Sequence, residues 1–367
     1  MLFNTISTLG LSKRTQSALT QLQIDVTRTS EELGSGKHFD VAGRLGARTN
    51  QAISLRHLHD QTTELLTGAS YLDGQMGLMN EAMTGMNKAA SDLLAVASTG
   101  LSQPSQTMQQ IRTQARGALE LMVGLLNASS GSGFLFSGVE VGTTPVRQID
   151  GSDGILPRSP LQIVQDAIAA AAGGPLPVTA ADSVAVVATL DALFDVRDPA
   201  LPAPAPLTDT FEGGIYRGAT AMQPGGAANP RVSARPEDGR EVPYGIQAND
   251  PAMRDLLQGM FMLASVDVNA MELDAYKPYV AAAVEKLSAG LKGLTDVQAK
   301  LGVQHAEIDG IVLRHNARLK ILNERITSLE DADPIETQTR LAQLQAQLEA
   351  AMNATSIVSR LRLTDYL

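Results

Sequence analysis

The chain has 367 residues, a formal net charge of -10 and no cysteine. This excludes disulfides, thiolate metal sites and cysteine nucleophiles, and an acidic surface is the wrong sign for neutralising nucleic-acid phosphates or anionic lipid headgroups. Aromatic residues make up only 4% and tryptophan is absent, so a core must be built from Leu, Ala, Ile, Val and Met, a composition suited to helices packed along stripes.

The opening Met1-Leu2-Phe3-Asn4-Thr5-Ile6-Ser7 lacks a basic segment followed by an apolar one, so no cleaved secretory signal is expected. No window approaches the roughly 20 apolar residues needed to span a bilayer. From Thr15 to Leu33 the residues Leu19, Leu22, Val26 and Leu33 recur in steps of three and four, with Thr29 in one slot, which predicts a coiled-coil helix. Gly34-Ser35-Gly36 should end it, and a loop through Gly46 follows. A second helical region runs from Ala47 to Ser98, is broken at Gly100 and Pro104, and continues to Asn127. Met76, Met79, Met83 and Met86 share one face of it and read as core filling, since no ligand set accompanies them.

After Gly133 the composition shifts toward Gly, Pro and Asp with short Val, Ile and Tyr segments, which predicts an inserted β-rich domain over 139–245. Within it, Leu201-Pro202-Ala203-Pro204-Ala205-Pro206 should be extended polyproline II. Asn249-Asp250-Pro251 marks the return of helix. Leu301, Ile308 and Ile311, then Leu319, Leu322, Ile326 and Leu329, form two phases of a seam. Asp333-Pro334-Ile335-Glu336 starts a last helix whose stripe is Leu341, Leu344, Leu348 and Met352. The expected architecture is mainly α with an inserted β-rich domain, the two ends forming a long antiparallel bundle or coiled coil. The expected segments are 1–46 and 316–367 as axial coiled-coil pieces, 47–138 and 246–315 as the halves of a helical bundle, and 139–245 as the insertion.

Nothing in the sequence supports catalysis. His57 and His59 are two apart on a helix and point to different faces, and no third ligand is visible for any of the five histidines, so neither metal nor cofactor is expected. Gly131 and Gly133 lack the Lys-Ser/Thr ending of a phosphate loop. Arg314, Arg318 and Arg325 read as solvated charges flanking a seam, with an ion pair to Glu31 or Glu32 as the alternative.

This organisation resembles the bacterial flagellin superfamily, whose members pair N- and C-terminal helices and carry variable insertions. Leu33-Gly34-Ser35-Gly36-Lys37 is similar to the turn after that family's first helix, with Gly34 and Gly36 as its glycines. Leu301-Gly302-Val303-Gln304 is similar to the start of its returning helix. Asp40-Val41-Ala42-Gly43-Arg44 departs from the Asp-Asp-Pro often found after the turn. Within the superfamily, Gly133-Phe134-Leu135-Phe136-Ser137-Gly138, with Phe134, Phe136 and Gly138, and the ending Leu361-Arg362-Leu363-Thr364-Asp365-Tyr366-Leu367 are similar to the hook–filament junction family. The resemblance implies a non-enzymatic structural subunit exported through the flagellar type III apparatus to the cell exterior. Its implied partners are copies of itself, a neighbouring hook-associated subunit and filament flagellin. The exposed apolar stripe of the C-terminal helix adds an export chaperone as an expected partner. A filament flagellin and a secreted coiled-coil binding protein or effector remain alternative readings.

Overall fold

The computed structural model describes residues 8–131, 133–151, 156–196, 207–237 and 239–364. The opening heptapeptide, the polyproline segment 201–206 and the final Asp365-Tyr366-Leu367 lie outside the described residues. In chain order the principal elements are α1 (Thr8–Ser35), α2 (Val41–Leu45), α3 (Thr49–Ser102), α4 (Pro104–Leu126), α5 (Pro160–Ala172), α6 (Ala180–Phe194), β1 (Ser233–Glu237), β2 (Arg240–Pro243), α7 (Pro251–Ser265), α8 (Leu273–Glu330) and α9 (Pro334–Thr364). The protein is 74% helical, so the expected mainly α architecture with a small β element is what the chain adopts. Among the described residues no helix is long and apolar enough to cross a membrane.

The chain divides into two compact units, Met1–Glu64 with Arg314–Leu367, and Leu65–Leu313. Helices α3 and α8 contribute residues to both. The Gly-Ser-Gly turn precedes the expected boundary at 46/47, whereas the terminal unit extends through the opening turns of α3 to Glu64.

The Leu65–Leu313 unit has one continuous core. Met76, Met79, Met83 and Met86 of α3 are buried in it, together with Ile111 and Leu119 of α4, Ile163 and Ile168 of α5, Val186 and Leu190 of α6 and most of α7. The segment 139–245 therefore extends the bundle core and is less β-rich than its composition suggests. Among its described residues the regular structure is the helical pair α5–α6, packed together and against α7, short helical turns at Leu207–Asp209 and Phe211–Ile215, and an antiparallel hairpin, β1–β2. The two helices form because each carries a reciprocal cap. Ser159 and Gln162 exchange side-chain and backbone hydrogen bonds at the start of α5, and Thr179 and Asp182 do so at α6. Behind those caps, Ala-rich runs have the highest helix propensity available.

Gly100 does not break α3. It is buried within the helix, and tertiary packing outweighs the cost of about 1 kcal/mol that glycine carries there. The break falls at Gln103, ahead of Pro104 at the first position of α4, because proline restricts the residue before it.

The segment Gly133–Gly138 turns the chain from α4 into the insertion and belongs to this core. Leu135 N donates to Ala128 O at 2.9 Å, Ala248 N to Phe136 O at 2.9 Å and Ala219 N to Ser137 O at 2.9 Å. Phe136 is fully buried and Phe134 partly so. Gly138 has φ +69°, a left-handed conformation that favours glycine, and a Cβ there would press on the side-chain amide of Gln247. In this structure the segment holds the second unit's fold together.

Candidate functional site

The terminal unit is built on α1 and α9, which pack antiparallel along one seam. Their sequences dictate the helix ends. Gly36 takes φ +70° and donates its N–H to Glu32 O at 2.9 Å, closing α1 in the left-handed manner that glycine allows. At the other end, Asp333 Oδ1 accepts from Ile335 N at 2.8 Å and Glu336 N at 3.4 Å, capping α9 with Pro334 at its first position.

Backbone hydrogen bonds tie the two turns together. Ala332 N donates to Gly36 O at 2.9 Å and His38 N to Glu330 O at 2.9 Å, around a bridge between Lys37 and Asp331. Gly34 is exposed on the last turn of α1. This clasp fixes the register of α1 on α9. On α1, Leu19, Leu22 and Val26 are half-buried and Thr29 is buried. On α9, buried Thr337 is followed by half-buried Leu341, Leu344 and Leu348. Thr29 Oγ1 donates to Asp25 O at 2.8 Å, so its hydroxyl enters the seam satisfied.

Two predicted seam residues lie off it. Leu33 is 38% exposed and Met352 is 46% exposed. The stripe of α9 continues from Leu348 through half-buried Ala351 and Thr355, so it passes one residue short of Met352. The second predicted group, on α8, is half-buried at Leu319, Ile326 and Leu329 and buried at Leu322, in the same unit as buried Ala52, Leu55 and Thr62 of α3.

An ion cluster joins these helices to the clasp. Glu330, whose side chain is 1% exposed, receives Arg56 Nε at 2.6 Å and Lys37 Nζ at 3.4 Å. The hydrogen bond from Arg56, reinforced by both positive charges, holds the Glu330 carboxyl below its usual value although burial opposes this. The same hydrogen bond and charge raise the Arg56 guanidinium. Beside the cluster, Phe39 N donates to Glu32 Oε1 at 2.9 Å, and Arg28 stacks over the Phe39 ring at 5.4 Å. Periodicity draws attention to Arg314, Arg318 and Arg325 for such pairing. It gives no signal for Arg56 and Glu330, which are 274 residues apart.

The terminal unit also leaves large apolar side chains uncovered. Ile335 is 76% exposed, and Ile24, Phe39, Ile53, Ile321 and Ile357 are exposed with it. In the other unit, His305 of α8 meets Asp73 of α3 at 2.8 Å, with Asp309 close by.

Residues 284–367 match the bacterial flagellin C-terminal helical region. The match covers the greater part of α8 and all of α9, and it supports the bacterial flagellin family. That family is structural and non-enzymatic, and its members self-assemble into helical polymers outside the cell. The match thus points to a flagellar structural subunit. No curated protein matches the chain.

Proposed function

We propose that the chain is the flagellar hook–filament junction subunit, hook-associated protein 3, which joins the hook-associated zone to the filament. The observation that carries the structural role is the α1–α9 pair, whose C-terminal partner lies wholly within the flagellin match and whose unit keeps exposed isoleucines for neighbouring copies. The junction assignment rests on the similarity of Gly133–Gly138 and of the chain's ending to that family. Leu19, Leu22, Val26, Leu319, Leu322, Ile326, Leu329, Leu341, Leu344 and Leu348 are the packing positions in this reading. Neighbours are copies of the chain, a hook-associated subunit on one side and flagellin on the other, after type III export with a chaperone covering the C-terminal helix.

Head-to-tail contacts generate open helical assemblies, so a junction subunit must be limited by the identity of its neighbours. Purified full-length chain, held under conditions that polymerise flagellin and viewed by electron microscopy, is expected to give no long filaments. Extended filaments would overturn the junction reading and favour a filament flagellin.

A further inference from the structure

We propose that Asp73, His305 and Asp309 form a binding site for a divalent transition metal, with Zn²⁺ as the fitting ion. His305 and Asp309 lie one turn apart on the same face of α8, and Asp73 approaches from α3. One ligand atom from each of the three lies within 4.8 Å of the others. His305 Nε2 is 2.8 Å from Asp73 Oδ1. Around Zn²⁺ with bonds of about 2.0–2.1 Å, tetrahedral ligand atoms stand about 3.3 Å apart, so small side-chain rotations suffice.

Asp309 is exposed, and no contact among the described residues holds its carboxylate away from the His305–Asp73 pair. Among the described residues no hydrogen bond or ion pair engages its carboxylate, yet that carboxylate shares the site with the one of Asp73. A dication balances two carboxylates and a neutral imidazole, and one imidazole nitrogen with two oxygens is a borderline donor set that suits Zn²⁺. Ca²⁺ takes an all-oxygen shell, which the imidazole nitrogen of His305 does not suit. The site is partly exposed, so water completes the coordination.

The test is titration calorimetry of the full-length chain with Zn²⁺ near neutral pH, backed by the visible spectrum of a Co²⁺ complex. One site is expected. Its affinity should fall at least about tenfold in Asp309→Asn, which leaves the His305–Asp73 pair in place, and in His305→Ala, which should also abolish the Co²⁺ bands. His57→Ala serves as a control and should bind as the wild type does. Circular dichroism verifies that each variant is folded. Absence of Zn²⁺ uptake, unchanged affinity in Asp309→Asn, loss in the His57→Ala control, or equal binding of Ca²⁺ would each overturn the assignment.

Discussion

Leu344→Asp is expected to lower incorporation into the flagellum by more than about tenfold, a difference of about 1.4 kcal/mol in association. Leu344 is half-buried on the α1–α9 seam, and the clasp between Gly36 and Ala332 sets it about level with Leu22 and Val26. Half-burial of a leucine is worth roughly 1 kcal/mol, and a carboxylate placed in the seam adds a desolvation cost of about 1–3 kcal/mol. The ordering entropy of two long terminal helices leaves little margin for such a loss. Buried Tyr216, Tyr276 and Tyr279 all lie in the Leu65–Leu313 unit, so their near-ultraviolet dichroism should be unchanged. Leu344→Met keeps the volume and should assemble normally. Incorporation of Leu344→Asp at wild-type levels would show that the seam is dispensable for assembly.

Arg56→Met should destabilise the terminal unit by about 1–2 kcal/mol. That is the lower part of the range for a charge-assisted hydrogen bond, because Arg56 is more than half exposed and water screens its charge. The substitution leaves the buried Glu330 carboxylate with Lys37 at 3.4 Å as its remaining cation in the cluster. Lys37→Met should have the smaller effect, because Arg56 stays at 2.6 Å. The pair also predicts acid sensitivity. Glu330 has a folded value below the usual 4.5, so its contribution is present above that pH and is lost as pH falls through the lower folded value. In Arg56→Met the folded value rises, and the acid transition of helicity should move to higher pH. An acid midpoint identical to that of the wild type would show that the cluster contributes nothing.

The parts of the fold that are legible in the sequence are those set by local chemistry. Gly34-Ser35-Gly36 and Asp333-Pro334 name their own helix ends, because caps and left-handed turns depend on residues within one turn. The methionine face of α3 is legible from periodicity. The insertion reads as β-rich from its Gly and Pro content, which masks Ser159-Gln162 and Thr179-Asp182, two capping boxes that start its helices. Met352 suits the seam by size, whereas helical spacing gives that place to Ala351. Long-range pairings are not legible at all. Nothing near Glu330 announces Arg56, and Asp73 is 232 residues from His305.

The most direct measurement of the central claim is electron microscopy of flagella from a strain lacking this gene, with flagellin assayed in the medium. Complete hooks without filaments, and flagellin lost to the medium, are expected of a junction subunit. Attached filaments of normal length would contradict that role.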